Sequence, residues 1–178
     1  MLMFLSADGF MTVAFYTAFA YLRFNAPQWP DAFHFPSGLM AAAMTMFLLA
    51  GSFTMFLAVG AARSTEPDPH AAPRWIAVTI ALWCCFLLIE SVEWVRLRLI
   101  LGVTLSSNPW NIPLFGASYF VLTGLHGLHV IAGLIYLTLV AVRKWSVKAA
   151  WLYVNFVNLI WLPLFFGLYL AATDLKGL

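Results

Sequence analysis

The stretch Leu114-Phe-Gly-Ala-Ser-Tyr-Phe-Val-Leu-Thr-Gly-Leu-His-Gly-Leu-His-Val-Ile-Ala-Gly-Leu-Ile-Tyr-Leu-Thr-Leu-Val-Ala-Val142 holds no aspartate, glutamate, lysine or arginine. A helix that crosses a bilayer needs about 20 consecutive, mainly apolar residues, and this run exceeds that. Its ionisable side chains are two histidines, His126 and His129, one helical turn apart. The run is therefore predicted to be a spanning helix with a polar spot on one face. Gly116, Gly124, Gly127 and Gly133 along it suit close packing against neighbouring helices.

The rest of the chain repeats the pattern. Of 178 residues, 63% are hydrophobic and 9% charged, with a mean hydropathy of +0.91. Soluble domains carry about 25% charged residues, so polar surface is too scarce here to cover a water-soluble globule. Four further apolar segments qualify as spans: 3–22, 39–62, 75–95 and 149–173. The breaks hold Asn25-Ala-Pro-Gln-Trp-Pro-Asp, Arg63-Ser-Thr-Glu-Pro-Asp-Pro-His, Ser106-Ser-Asn-Pro-Trp-Asn-Ile-Pro and the basic turn Arg143-Lys-Trp-Ser-Val-Lys148. Proline cannot continue a helix. The expected fold is an all-α integral membrane bundle of five helices, a single transmembrane domain over 1–178, without internal repeats. Trp29, Trp75, Trp94, Trp110, Trp145 and Trp151 fall near the predicted ends, as in an interfacial aromatic belt, while Trp83 and Trp161 sit mid-span.

The N-terminus has no basic region before its apolar run, so a cleaved signal peptide is not expected. The adjacent Cys84 and Cys85 read as small buried hydrophobes, with no disulfide or metal indicated. A net charge of +2 is too small to suggest nucleic acid. With the N-terminus inside, the inner loops hold Arg63, Arg74, Arg143, Lys144 and Lys148, against Arg23, Arg96, Arg98 and Lys176 outside; this is a weak positive-inside bias.

Ionisable groups within spans are functional candidates by default, since insertion costs roughly 2.5–3.5 kcal/mol at the bilayer centre. They are Asp8 in the first helix, Glu90 and Glu93 in the third, and His126 and His129 in the fourth; Asn155 and Asn158 in the fifth are polar but uncharged. Each pair is spaced by three and occupies one helical face. The simplest expectation is a structural polar network, with Glu90 and Glu93 facing His126 and His129 across the third and fourth helices. The competing reading is a metal site, since carboxylates and imidazoles ligate iron, manganese and zinc. Di-iron bundles, however, use Glu-x-x-His motifs, and a zinc motif needs histidines at i and i+4. Asp8 suits the positive end of a helix dipole or a lipid or proton role.

Tyr119-Phe-Val-Leu-Thr-Gly-Leu-His-Gly-Leu-His-Val-Ile-Ala-Gly133 resembles the Phe-Phe-x-x-Thr-Gly-Phe-His-Gly-Leu-His-Val-x-x-Gly signature of haem-copper oxidase subunit III. Glu90-Ser-Val-Glu-Trp94 is similar to that family's Gln-x-x-Glu-Tyr, Leu5-Ser-Ala-Asp-Gly-Phe10 to its Ser-Glu-x-x-Phe-Phe, and Trp29-Pro30 to a Trp-Pro that follows. Phe156-Val-Asn-Leu-Ile-Trp-Leu162 is similar to its closing Phe-Val-Asp-Val-Val-Trp-Leu. The matches run in order along the whole chain, in the short five-helix form.

The resemblance implies a multi-pass protein of the bacterial inner membrane, N-terminus cytoplasmic and C-terminus outside. It implies a non-catalytic subunit beside subunits I and II of a cytochrome c or quinol oxidase, supporting assembly, phospholipid binding and proton uptake. Haem and copper would reside in the partner, and none in this chain. Asp8 would be the lipid-cleft acid, shortened from glutamate. Further departures are Asn155 and Asn158 for His and Asp, Glu90 for Gln, and Met44 for the Asn beside Thr45. The same resemblance admits an accessory protein of nitric oxide reductase. A di-metal membrane enzyme using Glu90, Glu93, His126 and His129 is the alternative of another class, and a transporter with Asp8 on its pathway is a further one.

Overall fold

The computed structural model describes residues 2–26, 38–64, 68–109, 111–112, 114–143 and 145–170. Lipid offers no partner for a backbone N–H or C=O, so an apolar chain must satisfy them within helices. The described residues do this with five long helices: α1 (Leu2–Asn25), α2 (Gly38–Ala62), α3 (Ala71–Val95), α4 (Phe115–Arg143) and α5 (Val147–Leu164). α3 and α5 each run on into a wider π-helical segment, π1 (Arg96–Ile100) and π2 (Phe165–Leu170). No strand occurs among the described residues. Among the described residues four spans are long and apolar enough to cross a membrane: Gly38–Ala62, Ala71–Ile100, Phe115–Arg143 and Val147–Tyr169. α1 has the length, at 24 residues, but is the least apolar of the five helices. The chain is an all-α multi-pass membrane protein.

Local chemistry sets the ends. α3 starts at Ala71, before Pro73, although the sequence reading began that helix after the proline. A proline in the first turn gives up only an N–H that has no intrahelical partner. Ser146 caps α5, its hydroxyl accepting from the Ala149 N–H at 3.3 Å. Pro163 lies inside α5 and removes one ladder donor just ahead of π2. Trp29, Pro30, Trp110, Lys144, Lys176 and the part of the fifth predicted span beyond Leu170 lie outside the described residues.

α2, α3, α4 and α5 close a ring, each packed on its neighbours, and α1 lies outside it against α4 and α5. The ring's centre is filled by Met44, Leu48, Trp83, Phe86, Tyr119 and Trp161, all fully buried. Phe10, Phe53, Phe56, Leu88, Leu128 and Ile135 face outward, where lipid is their solvent. Cys84 and Cys85 are also exposed, contrary to the buried role expected for them. The inward stripe of α3 runs through Thr79, Trp83, Phe86, Glu90 and Glu93, and residues one and two places past Trp83 turn away from it at about 100° per residue.

Candidate functional site

α3 and α4 run antiparallel, and the glycines of α4 set how closely. Trp83 presses on Gly133, where an added Cβ would stand 2.3 Å from its ring, and the Trp94 ring lies 3.1 Å from the corresponding point on Gly124. The Glu90 carboxylate rests on Gly127, with Oε2 2.9 Å from where a Cβ would be. Gly116 does the same for a loop: a Cβ there would lie 1.9 Å from the Thr104 carbonyl oxygen. Trp94 adds a hydrogen bond from Nε1 to Thr123 Oγ1 at 3.1 Å.

This register distributes the buried acids and histidines among different partners. Glu93 Oε2 accepts from Tyr119 Oη at 2.8 Å and from Tyr169 Oη at 2.7 Å, and the two phenols lie 3.1 Å apart. Tyr119 comes from α4, Tyr169 from π2, so one carboxylate ties three elements together. His126 stands edge-on to Phe86, ring centroids 5.3 Å apart, and 5.1 Å from Trp161. It is 1% exposed, and neither ring nitrogen has a hydrogen-bond partner among the described residues. His129 turns instead toward α1, its Nε2 2.8 Å from Asp8 Oδ2. Its Nδ1 is 2.6 Å from the Leu125 carbonyl oxygen, which orients the ring within α4.

The expected pairing of Glu90 and Glu93 with His126 and His129 is therefore replaced by another arrangement. Opposite Phe86 stands His126, opposite Glu90 the bare backbone of Gly127, and opposite Glu93 the phenol of Tyr119. His129, a turn further along α4, is past the level of both acids and round toward α1. Among the described residues no group of three or more His, Cys, Asp or Glu side chains could hold a metal ion.

The last-helix amides divide as well. Asn158 Nδ2 donates to the Leu48 carbonyl at 2.8 Å and to Ser52 Oγ at 2.7 Å, clasping α5 to α2. Asn155, among the described residues, bonds back to the Trp151 carbonyl of its own helix, at 2.8 Å. Thr45, beside Met44, receives the Trp161 Nε1 proton at 2.9 Å. Sequence reasoning passed over Tyr16, whose hydroxyl donates to the Ile160 carbonyl, and counted Arg23 only as an outer charge, whereas its guanidinium donates to the Gly167 carbonyl. Both sit on the face of α1 that also carries Asp8, a spacing the sequence does contain.

No family model matches the chain. It is similar to proteins named cytochrome c oxidase subunit 3. That of Synechocystis sp. is 29% identical over 185 residues, covering 94% of this chain and 72% of the relative. Those of Corynebacterium diphtheriae and Thermostichus vulcanus are both 28% identical, covering 80% and 96% of this chain and 70% and 85% of the relatives. The similarity thus spans nearly the whole chain, including the α4 string that packs against α3 through its glycines. Along nearly all its length, and in its all-helical membrane architecture, the chain is similar to subunit III of cytochrome c oxidases.

Proposed function

We propose that this chain is a non-catalytic subunit of a haem-copper terminal oxidase, standing beside subunits I and II and supporting assembly, lipid binding and proton uptake by the catalytic subunit. The observation that carries the reading is how its buried ionisable groups are used. Glu93 is held by two tyrosines, and His129 by Asp8. Such pairings join helices of one chain to one another. Haem and copper then belong to the partner subunits, and the role of Glu90, Glu93, His126 and His129 is structural. Gly124, Gly127 and Gly133 admit the packing, and Asn158 holds the last helix against α2, while Asn155 stays within its own helix. The 178 residues act as one transmembrane unit, N-terminus cytoplasmic and C-terminus outside, in the inner membrane of a bacterium.

The test is affinity purification of the tagged chain in mild detergent, followed by mass spectrometry of its partners and an optical spectrum. Recovery of subunits I and II with haem absorbance and copper is the expected result. A chain that purifies alone from membranes holding an assembled oxidase would overturn the reading.

A further inference from the structure

A groove of about 620 Å³ opens where α3 passes into π1, walled by Trp94, Leu99, Val103, Phe120 and Val121 and bearing Arg98 among its polar lining. We propose that it binds one anionic phospholipid, an acyl chain lying along the apolar wall and the phosphate on Arg98.

Depth is the first argument. The apolar span that includes π1 is 30 residues long, Ala71–Ile100. At 1.5 Å per residue this exceeds a hydrocarbon core of about 30 Å, so its last turn reaches the headgroup layer. Arg98 is in that turn, one turn beyond Trp94, a residue suited to the interface.

Charge is the second. Arg98 is exposed, with no ion-pair or hydrogen-bond partner among the described residues. Other arginines are engaged: Arg74 reaches Asp68 at 3.7 Å, and Arg23 bonds the Gly167 carbonyl. A guanidinium at headgroup depth over an apolar slot matches an amphiphile with a phosphate at one end.

The groove is also built in advance. Its loop wall is tied to π1 by the Val103 N–H on the Leu97 carbonyl at 3.0 Å. The Thr104 N–H bonds the Ser107 carbonyl at 2.8 Å, and Thr104 Oγ1 accepts from the Ser107 N–H at 3.0 Å. Thr104 itself abuts Gly116 of α4, which leaves the wall no room to fall inward. A preformed slot binds without the cost of ordering its walls. The slot lies between α3 and α4, away from Asp8 and the first two helices.

Native mass spectrometry of the protein, in the complex it copurifies with, reconstituted into nanodiscs of phosphatidylglycerol and phosphatidylcholine, tests this. Wild type is expected to retain one phosphatidylglycerol in preference to phosphatidylcholine. Arg98→Gln, a change at an exposed position, should reduce that preference about fivefold, the equivalent of roughly 1 kcal/mol for one surface cation. Val121→Trp should fill the slot and abolish retention of either lipid. Three results would overturn the proposal: retention unchanged in both variants, an equal loss in Arg143→Gln, or a photo-crosslinker at Leu105 that captures a neighbouring subunit in place of phospholipid.

Discussion

Glu93 takes two phenol protons on a single oxygen while its Oε1 has no partner among the described residues. Each phenol hydrogen bond to a carboxyl group in this setting contributes about 1–3 kcal/mol. Tyr169→Phe and Tyr119→Phe should each lower the thermal midpoint in detergent, and the double variant should lose less than the sum, because both bonds share one acceptor. The two histidines of α4 should part company in the same assay. His129→Leu strands Asp8, buried to 9% exposure, and should destabilise by about 3–5 kcal/mol if the pair is ionic. His126→Leu removes two nitrogens that have no partner among the described residues and strands none of them, so it should cost less than half as much. Equal losses in the two variants would contradict the assignment of Asp8 to His129.

At the scale of elements, the glycines of α4 and the amide of α5 decide which helices touch. Gly133→Ala would push a methyl group into the Trp83 ring and should destabilise by about 1–3 kcal/mol, the range for overpacking. Asn158→Ala removes the bonds from α5 to the Leu48 carbonyl and Ser52 Oγ; hydrogen exchange around residues 48–52 should speed up while α3 stays protected. The existence of the helices was legible in the sequence, because a run such as Leu114–Val142 can satisfy its backbone in lipid in only one way. So was the inward stripe of α3 through Glu90 and Glu93. The partners were not legible. Spacing places Glu90 and Glu93 on one face, but a shift of half a turn between antiparallel helices decides whether a carboxylate meets imidazole, phenol or a glycine. Tyr169 reaches Glu93 from π2, a widened winding that no periodicity announces. Asp8 reaches His129 across 120 intervening positions of sequence, where neighbour-to-neighbour reasoning has no purchase.

For the whole molecule, the outward apolar surface is the controlling feature. Cys84 and Cys85 lie on it, on a spanning helix. In sealed vesicles they should resist a membrane-impermeant maleimide and react with a lipid-soluble one. Labelling by the impermeant reagent would place that face of α3 against water. The same surface makes solubility in the absence of detergent or lipid untenable.

α1 is fastened at three depths: Asp8 to His129, Tyr16 to the Ile160 carbonyl and Arg23 to the Gly167 carbonyl. Every one of those fasteners lies on α4, α5 or π2. A ribosome makes α1 before these: the 89 residues between Asn25 and Phe115 separate it from α4, the earliest of them, or roughly 4–18 s of translation at about 5–20 residues per second. During that interval α1 must wait in the membrane beside the translocation machinery with Asp8 and Arg23 unmatched. α1 is complete before any helix that holds it exists.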